Sequence, residues 1–312
     1  MNVLILAAGY ATRLYPLTLH KAKPLLPVGG KPIIEWVVEN LTDVPDLETV
    51  YIVTNDKFAH DFQTWTEGYR NQQPKFKFKV INDGSKSDDD KLGAIGDINF
   101  VVTREKLTES DLLIVAGDNL FSESLAGFVD SAKKADATVA VYDVGDAEAI
   151  KKYGNIAIDP DGVITHFEEK PEKPRSTLAA IALYYYSPKV LSLFATYLAA
   201  GNNPDQPGRF VQWLYRRTPV KTVECGVRLS DGFAANGRRR SVADPLLQAA
   251  FIKFDQIEIR LNIVATLASR FFEKMEKARL FCGGVRVPGN HRLIPLFDCF
   301  GRMSRSVFLD PV

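Results

Sequence analysis

The segments Asn2-Val-Leu-Ile-Leu-Ala-Ala-Gly-Tyr-Ala-Thr-Arg-Leu-Tyr-Pro-Leu-Thr18 and Lys21-Ala-Lys-Pro-Leu-Leu-Pro-Val-Gly-Gly-Lys-Pro-Ile-Ile34 decide how this chain is read. Val3–Ala8 is an apolar run of strand length. It enters a small-residue turn at Gly9, followed by Thr12 and Arg13, and a second cation, Lys23, stands beside Pro24. Glycine lets a backbone approach an anion with no Cβ in the way. Successive turn amides form a concave donor site, and a following helix N-terminus adds partial positive charge. Arg13 offers a planar fork for phosphate oxygens, and Lys23 a compact point charge. The arrangement suits a polyphosphate and points to a nucleotide. It is neither GxxxxGK[ST] nor GxGxxG, since Gly9 is the only glycine of the turn.

Strand and helix signals alternate outward from this turn. Helices are expected at Ile33–Leu41, Phe58–Tyr69, Ala94–Lys106 and Glu123–Lys134. Strands are expected at Glu48–Thr54, Lys75–Ile81, Leu112–Ala116 and Thr138–Val144. Such alternation predicts an α/β fold, a mostly parallel sheet covered by helices. Asp159-Pro-Asp-Gly162 predicts a hairpin between Asn155–Ile158 and Val163–Phe167. Leu178–Tyr186 reads as a long strand, Val190–Ala199 as a helix and Gly201–Gly208 as a loop.

At 312 residues, the chain can bury a large core, and 46% hydrophobic with 25% charged residues is the balance of a globular protein. A net charge of +1 gives no global argument for nucleic acid or a membrane surface. No leader-like segment precedes the first strand and no apolar run has transmembrane length, so a cytoplasmic location is expected. Three cysteines without CxxC spacing, and scattered His20, His60, His166 and His291, point away from a disulfide framework or a zinc site.

The average hides an asymmetry. Residues 1–220 carry 24 Lys and Arg against 29 Asp and Glu, whereas residues 221–312 carry 15 against 9 and hold all three cysteines. The shift marks a boundary near residue 220, between a first domain at 1–220 and a divergent basic segment at 221–312.

Gly9 to Thr18, with Lys23-Pro-Leu-Leu-Pro-Val-Gly-Gly-Lys-Pro32, resembles the signature of the sugar-1-phosphate nucleotidyltransferases, of which glucose-1-phosphate thymidylyltransferases are the best-known type. Tyr10 and Ala11 replace the more usual small residue and glycine, so the same turn is made with less backbone freedom. The resemblance implies a Rossmann-like three-layer α/β/α domain. It implies transfer of a nucleotidyl group from an NTP to a sugar 1-phosphate, a step of nucleotide-sugar biosynthesis, with Arg13 and Lys23 on the triphosphate and leaving group. Leu6, Ala8, Gly9, Thr12, Asp83 and Gly93 are then the nucleotide-binding residues. Asp118, after the strand Leu112–Ala116, is similar to the family's Mg²⁺-binding aspartate, although the same residue also reads as a helix cap. Tyr153-Gly154 and Glu168-Glu169-Lys170-Pro171 resemble the family's sugar-phosphate motifs, which assigns Gly154, Glu169, Lys170 and Tyr184 to the acceptor. Without the resemblance, Glu168-Glu169-Lys170 also reads as a solvated charge run.

The resemblance covers about residues 1–220. Relatives show a Gln or Glu in the base-contacting segment, where this chain has Asp83 and the run Asp88-Asp-Asp90. They continue into Trp-x-Asp-x-Gly, whose aspartate is a second metal ligand, where this chain has only Ser230-Asp231-Gly232. The tail is either an alternative domain, with helices near Pro245–Phe254 and Ile263–Phe281, or an altered reading frame. Gly237-Arg-Arg-Arg240 reads as a solvated loop rather than a nucleic-acid patch. Two other activities stay open: a non-catalytic sugar-nucleotide-binding regulatory subunit, and a phosphocholine cytidylyltransferase. The partners expected are an NTP and a sugar 1-phosphate, without nucleic acid or membrane, in a chain that can assemble as a homo-oligomer.

Overall fold

The structure, a computed structural model, describes residues 1–225 apart from Pro74, Ser122, Ala147 and the side chain of Gln72. The expectations for Pro245–Phe254, Ile263–Phe281, Gly237–Arg240 and Ser230–Gly232 lie outside the described residues.

The chain opens with β1 (Asn2–Leu6), the small ribbon β2 (Pro27–Val28) and β3 (Lys31–Pro32), and α1 (Ile33–Glu39). It continues with β4 (Val50–Thr54), α2 (Ala59–Gln72), β5 (Phe78–Asn82), α3 (Ala94–Arg104) and β6 (Leu112–Ala116). Next come α4 (Ala126–Ala132), β7 (Ala137–Asp143), β8 (Gly154–Ile158), β9 (Ile164–Glu169) and β10 (Leu178–Tyr186). The described chain ends with α5 (Pro188–Leu191), α6 (Leu193–Ala199), α7 (Pro207–Leu214) and β11 (Lys221–Glu224).

The central sheet has the order β11-β7-β10-β6-β1-β4-β5, with β8 and β9 paired off β10. β1 runs parallel to both β4 and β6, and β5 extends the parallel half. β10 enters antiparallel between β6 and β7. β11 pairs in parallel with β7, so the sheet continues past residue 220.

Side-chain alternation along β1 explains the layering. Val3 and Ile5 pack with Ile34, Val37, Phe62 and Val129 of α1, α2 and α4. Leu4 packs with Ile95, Ile98, Phe194 and Phe210 of α3, α6 and α7 on the other face. Strands apolar on both faces are what a sheet covered by helices on each side requires. The result is the three-layer α/β/α arrangement that the sequence led us to expect. No helix among the described residues is long and apolar enough to cross a membrane.

The strand order reverses at β1. The chain goes outward to β4 and β5, then returns to the other side of β1 as β6. Ligands of open α/β sheets bind outside the carboxyl ends of the strands at such a switch point. The turns after β1 and β6 both open there, and these carry Gly9 and Asp118.

Candidate active site

The turn after β1 is fixed from beneath. Ala7 N donates to Val53 O at 2.9 Å, which ends the strand's regular course. The buried Asn55 Nδ2 donates to Ala8 O at 2.9 Å, while its Oδ1 accepts from Phe58 N at 3.2 Å. Gly9 is exposed, and a Cβ there would meet nothing within 4 Å, so open space faces the turn. Ala11 sits in the left-handed region at φ +48°. Thr18, fully buried, holds it there by donating from Oγ1 to Ala11 O at 2.7 Å. The short 3₁₀ turn Thr12–Leu14 then presents Thr12 and Arg13 to solvent above the buried Leu14.

A second 3₁₀ turn, Lys23–Leu25, is anchored by buried Pro24 and Leu25. Lys23 Nζ lies 3.0 Å from Asp118 Oδ2. The preceding Gly117 makes this approach possible. Its amide donates to Leu6 O at 2.9 Å. A Cβ at 117 would stand 3.0 Å from Leu6 O and 3.2 Å from Pro24 Cγ.

The residues that the resemblance assigns to the acceptor converge at the far end of the β8–β9 hairpin. Gly154 and Glu169 are register partners, and Lys170 N donates to Tyr153 O at 3.0 Å. Lys170 has φ +51°, which turns its exposed side chain out of the strand. Glu169 is half-buried. Tyr184 is 4% exposed and stacks on Tyr186, with centroids 6.2 Å apart, in the core beneath the site. Burial pushes its phenol up, and the nearby Glu169 charge adds to this. Tyr184 is thus a core residue that lies near the Glu169 charge.

In the segment expected to border the nucleotide, Asp83 Oδ1 accepts from Ser85 N and Ser85 Oγ, both at 2.7 Å. Gly93, at φ +78°, precedes α3 and is pressed against Pro204. Buried Asp97, in the first turn of α3, faces Asp83. Burial pushes the Asp97 carboxyl up to about 8, with further contributions from Asp83, by charge and hydrogen bond, and from the charge of Asp205. Asp97 Oδ1 and Asp83 Oδ2 are both buried and have no hydrogen-bond donor among the described residues. One proton retained on Asp97 and donated to Asp83 reconciles two adjacent acids in a buried place. Tyr10, also buried, lies beside Ser85 and the charge of Asp83.

The structure thus joins Lys23 to Asp118, and Glu169 to Gly154. Leu6 and Ala8 form the floor of the β1 turn; Leu6 accepts from Gly117 and Ala8 from Asn55. The sequence reading gave no role to Asn55, Asp97 or Pro204–Gly208. A buried asparagine just after a strand is a recognisable loop-fixing signal. The other two depend on contacts between segments far apart in the chain.

The nucleotidyl transferase family model matches residues 2–209. The chain belongs to this family. It is 29% identical over 193 residues to the bifunctional protein GlmU of Methanocaldococcus jannaschii, covering 62% of this chain and 41% of that one. It is 30% identical over 234 residues to a glucose-1-phosphate thymidylyltransferase of Xanthomonas campestris, covering 68% of this chain and 74% of the relative. A solved structure of UDP-glucose pyrophosphorylase with UDP-glucose superposes with a TM-score of 0.58 at 23% identity, over 72% of this chain and 89% of that one. This nucleotidyl transferase spans about two fifths of the length of the first curated relatives it matches.

Proposed function

We propose that this chain transfers a nucleotidyl group from an NTP to a sugar 1-phosphate. A phosphate oxygen of the sugar 1-phosphate bonds to the α-phosphorus, the α–β bridging P–O bond breaks, and pyrophosphate leaves. A phosphate monoester is already ionised near neutral pH, so the protein need supply no nucleophile or general base. Its work is positioning and charge stabilisation.

The observation that carries this reading is the Lys23–Asp118 pair, a cation from the β1 turn and a carboxylate from the β6 turn meeting at the switch point. Arg13 and Lys23 stabilise the β- and γ-phosphates as negative charge builds on the leaving group. Lys170 holds the phosphate of the acceptor, and Glu169 accepts hydrogen bonds from sugar hydroxyls. The turn around Gly9 brings backbone to the triphosphate, and the Asp83 and Gly93 segments border the base.

Asp118 suits Mg²⁺, which asks the protein for only one or two carboxylates and takes its remaining ligands from phosphates and water. It is 37% exposed, within reach of a ligand, and no group of three or more His, Cys, Asp or Glu among the described residues could hold a metal unaided. When bound, Mg²⁺ would neutralise charge at the α-phosphate.

A screen of the common NTPs against several sugar 1-phosphates with Mg²⁺, followed by pyrophosphate release, tests the proposal. Release that requires both substrates supports it. Nucleotide binding with no release for any pair would favour a regulatory subunit instead.

A further inference from the structure

We propose that Gly208, on α7, is a positioning residue of the acceptor subsite: its missing side chain leaves the gap into which Glu169 is seated. This inference rests on the reading of Glu169 as a sugar-binding residue.

Two glycines clasp the Glu169 carboxylate. A Cβ on Gly154 would stand 3.0 Å from Glu169 Oε2, and one on Gly208 would stand 2.9 Å from the same oxygen. The Phe167 ring edge fills the rest of the gap, with Cζ at 2.9 Å and 3.0 Å from those two positions. Gly154 lies opposite Glu169 in the hairpin ladder, so its closeness follows from strand pairing. Gly208 comes from a distant part of the chain and has no such reason to be there.

Nor does the backbone require glycine at 208. The residue lies in the first turn of α7 and not among those with positive φ. Alanine is favoured over glycine in a helix. The small residue is therefore explained by the space above it rather than by the conformation of the chain. α7 is also held firmly: Phe210 stacks on Phe194 with centroids 3.9 Å apart and planes at 15°. A side chain added at 208 would move Glu169 more readily than the helix.

The segment leading into Gly208 touches the nucleotide side as well. Pro204 O accepts from Ile95 N at 2.7 Å, and a Cβ on Gly93 would stand 2.7 Å from that same oxygen. One short stretch, Pro204–Gly208, thus borders the base-side loop at one end and the sugar-side carboxylate at the other. This gives the sugar pocket a wall that no motif of the hairpin supplies.

The test compares the full chain with Gly208→Ala and with Gly208→Ala/Phe167→Leu, where the smaller Leu relieves the contact with the ring. Affinities are measured for UDP and UDP-glucose, and for dTDP and dTDP-glucose. The gain in affinity from diphosphate to sugar diphosphate reads the sugar subsite alone. The expected result is a gain reduced at least about tenfold in both variants, with the diphosphate affinity within about twofold of wild type. The double variant is expected to recover the thermal stability of wild type without recovering the gain. A double variant with the full wild-type gain would overturn the proposal and make Gly208 a packing residue for Phe167. Wild type showing no gain for either nucleotide sugar would overturn the sugar-site reading itself.

Discussion

Lys23 Nζ stands 3.0 Å from Asp118 Oδ2, with the lysine side chain 12% exposed and the aspartate 37% exposed. Only the aspartate end is open to solvent, and screening there keeps the pair's contribution to stability small. Its weight falls on ligand charge. Lys23→Met and Asp118→Asn should each leave the melting temperature nearly unchanged and lower turnover by about 100-fold or more. Thermal melts beside pyrophosphate-release rates check this; a large loss of stability with normal turnover would make the pair structural.

Ala11 at φ +48° is a strained site in the turn after β1. The left-handed conformation costs a non-glycine residue about 1–2 kcal/mol. Glycine removes that cost and adds about 0.4–1 kcal/mol of freedom to the unfolded chain. Ala11→Gly should therefore stabilise the protein by up to about 1 kcal/mol in urea denaturation. Destabilisation would show that the turn is not held as described.

Asn55 ties β4 to the floor of the same turn through Ala8 O and Phe58 N. Asn55→Ala leaves Ala8 O unpartnered in a buried place, while Phe58 N keeps its bond to the backbone carbonyl of residue 55 at 3.3 Å; the cost is about 1–3 kcal/mol. Denaturant titration should show this loss, together with weaker triphosphate binding as the turn loosens. A cost under about 1 kcal/mol would mean that water replaces the amide.

Asp97 makes stability depend on pH in a fixed direction. Its carboxyl is pushed up to about 8 in the folded chain from 3.8, first by burial and then by Asp83 and Asp205. Between these values the folded state holds a proton that the unfolded state has lost. The contribution is thus greatest below the unfolded pKa, declines as pH rises, and is gone above about pH 8. Asp97→Asn stays neutral and can still donate to Asp83. The variant should be more stable than wild type at about pH 8 and show a flatter profile of melting temperature against pH. Parallel profiles would contradict the shared proton.

Much of the fold is legible in the sequence because β1, β4 and β6 are buried on both faces and read as unbroken apolar runs. The expected strand Lys75–Ile81 shows the limit. The regular strand begins at Phe78, where pairing with Val50 starts, while Phe76 packs into the core outside the ladder. Alternation reports which side chains are buried but not which backbone finds a partner. The segment Gly201–Gly208 reads as a loop, yet Pro207 opens α7. Proline at a helix start and glycine beside it look like breakers until Phe210 and Leu214 are seen packed in the core. The antiparallel entry of β10 between β6 and β7 is a tertiary choice that its local sequence does not encode. In the site, Gly9, Arg13, Lys23 and Asp118 stand out because phosphate chemistry needs those residue types near strand ends. Asp97 does not, since a neutral buried acid is defined by Asp83 and Asp205, which come from other segments of the chain.

The most direct measurement follows the α-phosphate itself. An NTP labelled at the α-phosphate is incubated with the full chain, Mg²⁺ and the sugar 1-phosphate that gives the strongest pyrophosphate release, and the products are separated. Label is expected to move into a nucleotide sugar in step with pyrophosphate release, and Lys23→Met to slow both together. Label that remains in the NTP, or emerges as nucleoside monophosphate without a sugar, would contradict it.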